Sequence, residues 1–231
     1  MSSRSRRLPA FVLAAALAAA CQSSGHHGSF LIFGGAHAPQ EDLVERVHGA
    51  KAETASARED YGTAFRLYQR LTAPQAVELE DLSDDFSDSI DDCQERADDL
   101  AERIESVRAA SEELFKGWNE ELTHFSGDVL RKKSEAMLQD TQARTQRVLD
   151  ALERVRTRTD PVLKKLKDYA LFFNHNLNAR AIATLQDTYK DFDAEFKALD
   201  AELVKAQSEI AAFIANFEKP AKDAATAPAA K

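Results

Sequence analysis

Side chains able to do chemistry fall into a few groupings. Glu45 and His48, and again Glu121 and His124, form two E-x-x-H pairs, the pattern that two helices of a four-helix bundle supply to a di-metal centre. The stretch LFFNHNLNARAIATL, residues 171–185, packs Asn174, His175, Asn176, Asn178 and Arg180 into seven positions of what otherwise reads as an apolar-striped helix. His26, His27 and His37 lie in a glycine-containing segment, where loose metal binding is the natural expectation. A lone histidine beside amides has no nucleophile, no paired carboxylate and no second metal ligand, so no reaction follows from His175. No phosphate-binding loop, G-x-S-x-G elbow, C-x-x-C pair or H-E-x-x-H occurs. The expectation is a protein that is not an enzyme and needs no cofactor.

The remaining chemistry is that of Cys21. Arg4, Arg6 and Arg7 form a basic region, residues 8–20 an apolar one, and Ala18-Ala19-Ala20 supplies small residues before the cysteine. Thirteen apolar residues rise about 20 Å as a helix, short of roughly 30 Å of hydrocarbon. LAAAC resembles the bacterial lipobox, where cleavage exposes a cysteine that carries diacylglycerol, although Ala18 stands where leucine is usual and plain secretory cleavage after Ala20 stays open. Gln22, in place of aspartate, favours the outer membrane. Lipidation at Cys21 leaves Cys93 without an intramolecular partner, so Cys93 is expected as a small buried apolar residue.

The chain carries 30 basic and 39 acidic residues, a net charge of −9. Loss of the three leader arginines would take it to −12, a balance that makes nucleic acid a poor partner. Eight glycines and six prolines in 231 residues leave little turn chemistry, so long helices are expected. The breakers suggest a leader at 1–20, a lipid-anchored flexible linker at 21–40, a helical domain at 41–218 and a disordered tail at 219–231, with turns at Pro74 and at Thr159-Asp160-Pro161.

Apolar residues between those breakers follow a 3-4 spacing. One stripe runs Val47, Ala50, Thr54, Ala57, Tyr61, Ala64, Tyr68, Leu71. A second runs Phe86, Ile90, Cys93, Ala97, Leu100, Ile104, Val107, Ser111, Leu114, Trp118. The last runs Ile182, Leu185, Tyr189, Phe192, Phe196, Leu199, Leu203, Ala206, Ile210, Phe213, Phe217. The predicted fold class is all-α: an elongated, antiparallel, coiled-coil-like bundle of three long helices, the middle one kinked near Gly127. A helix over 76–159 would measure about 125 Å against about 135 Å for 41–72 plus 161–218, which favours the kink; a four-helix bundle with a turn at Gly127 is the second choice.

Within that three-helix register Asn178 and His175 fall on the seam. Pairing about a turn at Asp160 sets Asn178 level with Thr141, so Thr141, His175, Asn178 and Arg180 are the candidate polar layer or binding site. A buried layer that fixes register is the plainer expectation, and a small-ligand or metal site the alternative. The E-x-x-H pairs fit poorly, because Val47 and Ala50 on the seam turn Glu45 and His48 outward. Residues 78–102 hold twelve acids and one base, Arg96, whereas 131–167 is basic. Solvated helix faces are the default, and a basic end at 154–167 facing an anionic surface is the sharper expectation.

DPVLKKLKDYALFFNHNLNARAIATL, with ELFKGWNEEL around Trp118, resembles the most recognisable part of a family of uncharacterised bacterial envelope lipoproteins, a domain of unknown function; the similarity covers most of 41–217. The resemblance implies a helical fold and brings no activity, substrate or catalytic residue. The functional expectation is a non-enzymatic periplasmic scaffold or adaptor, anchored through Cys21 to the outer membrane. Its partners would be that membrane and a second copy or another envelope protein. A helical small-ligand or metal-binding protein with a polar site around His175 and Asn178 is the alternative.

Overall fold

Helices as long as the stripes predict appear in the computed structural model, which describes residues 37–73 and 78–218. The expected leader, Cys21 with most of the expected linker, the Pro74 turn and the tail from 219 lie outside the described residues. All described residues belong to one compact unit, Gly34–Lys231. They form α1 (His37–Leu71), α2 (Leu79–Leu122), α3 (Asp128–His175), the short α4 (Ala179–Ala183) and α5 (Gln186–Glu218), with no strand among them. Pro39 lies in the first turn of α1, where its missing N–H has no intrahelical partner to lose.

The four long helices pack in a ring, α1 against α2 and α5, and α3 against the same two. Cross-helix bonds fix the directions. Arg46 reaches Ser106 while Arg96 reaches Glu53, so α1 and α2 are antiparallel. Trp118 bonds Ser134 and Arg108 bonds Glu153 between α2 and α3. Arg154 meets Glu202 and Lys165 meets Glu195 between α3 and α5. Gln207 donates to the Thr54 carbonyl, and Phe65 stacks on Phe196, between α5 and α1. This is an up-down-up-down four-helix bundle.

The all-α bundle agrees with the sequence, and the arrangement is the second choice, four helices, in place of the kinked three. At Gly127 the chain turns. α2 closes at Leu122, with the Thr123 N–H donating to the Glu120 carbonyl and the His124 N–H to the Glu121 carbonyl, and α3 starts at Asp128 after an extended Gly127 with φ −112° and ψ 123°. The turn predicted at Asp160-Pro161 is absent, and α3 runs through Pro161. The reason lies in the buried side chains of α3. Leu138, Thr141, Thr145, Val148, Leu152, Val155, Thr159, Val162, Leu166 and Phe173 hold one 3-4 register across the proline. Pro161 itself is exposed, so the Thr157 carbonyl that loses its donor faces water. A proline in a helix costs about 3 kcal/mol. Burial of one leucine or valine returns about 1.5–3 kcal/mol, so the continuous stripe outweighs it.

The three predicted stripes form the core together with the α3 stripe. Val47, Ala50, Thr54, Ala57, Tyr61, Ala64, Tyr68 and Leu71 are buried on α1; Phe86, Ile90, Cys93, Leu100, Ile104, Val107, Ser111 and Leu114 on α2; Phe192, Leu199, Leu203, Ala206, Ile210 and Phe213 on α5. Near the α3–α4 junction the rings of Phe65, Tyr68, Phe86, Tyr169, Phe173 and Phe192 interlock. Tyr68 meets Tyr169 at 4.5 Å and Phe192 edge-on at 5.0 Å, a geometry that aromatic quadrupoles favour.

Candidate functional site

The asparagine-rich stretch is where one long helix ends and the next begins. α3 stops at His175. The Asn176 N–H donates to the Phe173 carbonyl at 3.1 Å, and the Asn176 side-chain Nδ2 to the Phe172 carbonyl at 3.0 Å. Asn178 is extended at φ −145° and ψ 149°, and its Oδ1 accepts the Ala181 N–H at 2.9 Å, an N-cap for α4. The Thr184 hydroxyl then donates to the Ala181 carbonyl at 2.6 Å as α4 closes. Short amide side chains compete with the helix for backbone groups, which is why asparagines here make a junction.

The four residues proposed as a polar layer are not brought together. Thr141 is buried on α3 and donates its hydroxyl to the Met137 carbonyl at 2.9 Å. His175 ends the same helix, about 51 Å further along it. His175, Asn178 and Arg180 are exposed at that junction. The expected level pairing assumed a turn at Asp160, and it goes when α3 continues. Cys21 lies outside the described residues. Glu45, His48, Glu121 and His124 are all exposed, and among the described residues no three metal-ligating side chains cluster around one point.

Three polar side chains are buried elsewhere in the bundle. Tyr61 from α1, Cys93 from α2 and Thr159 from α3 are each buried, with the Thr159 hydroxyl the polar neighbour of the Tyr61 phenol. Burial pushes the Cys93 thiol up to about 12, with Asp60 and Asp92 adding to the shift, and burial raises the Tyr61 phenol as well. A thiol so placed is protonated and inert at neutral pH.

The charged stripes work between helices. Arg96, the one base in the acidic run of α2, donates from Nε to Asp60 at 2.8 Å and from Nη1 to Glu53 at 3.1 Å and Asp99 at 2.8 Å. The hydrogen bonds to Asp60, which contributes most, and to Glu53 raise its already high pKa. Arg154 joins Glu202 at 2.7 Å and Glu209 at 2.9 Å. Lys165 pairs with Glu195 at 2.6 Å, and Lys167 donates to Gln94 at 2.5 Å. The expected basic end at 154–167 therefore lies within the second half of α3, short of its end, and three of its bases bond to neighbouring helices. Open grooves follow the helix seams, one of them lined by Arg144, Arg154, Glu209 and Asn216.

Sequence reasoning missed one feature. Of six large apolar residues left exposed among the described ones, Phe125, Val129, Leu130 and Met137 all lie on the α2–α3 hairpin. Its signal was present, because these residues stand off the stripes where the register jumps between Phe125 and Leu130.

No curated protein and no solved structure matches the chain. A family model described as "Protein of unknown function (DUF2959)" matches residues 34–217, the whole helical bundle but for the end of α5, and the chain belongs to that family.

Proposed function

We propose that this chain is a non-enzymatic lipoprotein of the bacterial cell envelope, a helical scaffold or adaptor held by lipid on Cys21 at the outer membrane and facing the periplasm. The observation that carries the address is the run of Arg4, Arg6 and Arg7, thirteen apolar residues at 8–20, and Ala18-Ala19-Ala20-Cys21-Gln22. Support for a scaffold comes from the use of polar groups in the bundle. Asparagines cap helix ends, arginines join neighbouring helices, and the core is filled by aliphatic and aromatic side chains. Among the described residues no helix is long and apolar enough to cross a membrane, so on this reading the acyl chains provide the attachment.

Cys21→Ser tests it. The wild type should sediment with membranes and yield an N-terminal peptide bearing the mass of a diacylglyceryl cysteine. The variant should move to the soluble periplasmic fraction. Membrane association that survives the substitution, with an unmodified peptide in the wild type, overturns the reading.

A further inference from the structure

The α2–α3 hairpin extends past its neighbours. Arg46 of α1 is level with Ser106, so α1 begins about nine residues beyond, near residue 115 of α2. At the same end α5 finishes near Asp140, which lines one groove with Asn216. Among the described residues the last turns of α2 and the first turns of α3 therefore stand as a two-helix projection, joined by the Trp118 Nε1 to Ser134 Oγ bond at 2.8 Å and filled by Leu122 and Leu138. At its tip Val129 is 71%, Leu130 61% and Phe125 39% exposed, with Met137 at 62% on the flank. Leu171 and Val204, the other large apolar residues left open among the described ones, stand singly elsewhere.

Charge is graded along the bundle. The start of α2, at the opposite end, holds eight acids and no base over 78–92. On the projection Lys116, Arg131, Lys132 and Lys133 balance Glu120, Glu121, Asp128 and Glu135. Arg131 is bound to Asp128 at 3.0 Å and Glu135 at 2.9 Å, while Lys132 and Lys133 are exposed directly behind Val129 and Leu130. Apolar side chains at a tip with lysines one turn behind match a phospholipid surface, where the tip enters the acyl boundary and the amines stay among headgroup phosphates. The chain also enters α1 at this end, and the segment from Cys21 to His37 reaches at most about 55 Å.

We propose that the tip of the α2–α3 hairpin, Phe125, Val129 and Leu130 backed by Lys132 and Lys133, docks on a phospholipid bilayer. The proposal rests on the envelope reading for the presence of a bilayer and on the exposed tip for its mode of contact. It orients the bundle, with the acidic start of α2 held away from the lipid.

Trp118, the one tryptophan of the chain, lies about 6 Å before the end of α2 and reports on the tip. The full chain is bound to vesicles of phosphatidylethanolamine and phosphatidylglycerol brominated at a shallow acyl position. Trp118 emission should be quenched, and Val129→Ser/Leu130→Ser, with helicity unchanged by circular dichroism, should reduce the quenching about tenfold. Lys132→Glu/Lys133→Glu should weaken it several-fold at low salt and little at high salt. Flotation of the chain with vesicles reads the lipid anchor separately: flotation without quenching overturns tip docking and leaves the anchor standing, whereas quenching at high lipid without flotation does the reverse. Equal quenching in wild type and the Val129/Leu130 variant overturns the proposal. So does a lipid-free dimer that the same variant dissociates, which would assign the tip to a second copy.

Discussion

Asn178 and Thr141 both close their side-chain hydrogen bonds within four residues of themselves, one as a helix cap and one on the preceding turn. An asparagine on a seam and an asparagine at a cap look alike in sequence, and the choice was made by whether the helix continued, which no single residue states. Cys93 was legible, because a 3-4 stripe on both sides of it required burial. Its environment gives a test by titration. With the folded thiol near 12 and an ordinary value of 9.0, the unfolded chain loses this proton first as pH rises through that window. Bound protons then favour the folded state less and less, so stability present below pH 9 should fall between pH 9 and 12. Cys93→Ala should flatten that part of a curve of denaturant midpoint against pH, with Tyr61 supplying what slope remains. A wild-type curve identical to that of the variant would show that Cys93 does not carry this linkage.

Pro161 and Gly127 mark the two boundaries that were misplaced, a proline taken for a turn where the stripe continues and helix lengths taken for a kink where the chain turns. The register from Leu138 to Phe173 was present in the sequence as written, yet a proline preceded by Thr159 and Asp160 carries the same local signature as a helix start. Packing decided, since one lost hydrogen bond on a wet face is small beside the buried residues either side. The turn near Gly127 had no such compensation: Phe125, Val129 and Leu130 on either side of it are exposed. Pro161→Ala restores the donor to the Thr157 carbonyl and should raise stability by about 1 kcal/mol or more, read as a higher Tm with native helicity. A lower Tm would mean that the bundle relies on a bend set by the proline. Stripes, core and helix class could thus be read from residue types, while the place of each break depended on the sum of contacts that only the folded bundle supplies.

At the scale of the bundle, charge was legible as composition but not as pairing. Arg96 answers to Asp60 and Glu53 across a short hairpin, and Arg154 to Glu202 and Glu209 some fifty residues away in sequence, pairs that depend on which helices are neighbours. These pairs are part-buried and Glu53 is buried, so any other arrangement would leave a desolvated carboxylate without its arginine, and the pairs select the arrangement more than they stabilise it. Three of the four helix contacts in the ring join long helices that follow one another along the chain, with only the short α4 between α3 and α5. The fourth, α1 with α5, is held by the Phe65–Phe196 stack at 4.0 Å and 6° and by Arg58 with Asp200 at 2.6 Å. Its two partners are separated by most of the domain, so bringing them together carries the largest loop-closure entropy of any contact in the ring. Hairpins of sequence neighbours should assemble first and this seam last. Phe196→Leu should therefore speed unfolding several-fold in a stopped-flow chevron and leave the folding limb nearly unchanged. An equal loss on the folding limb would place α1 and α5 together in the nucleus. On this order of events the ring is a clasp: a chain still emerging from synthesis carries three packed helices with an open apolar trough until α5 arrives to shut it.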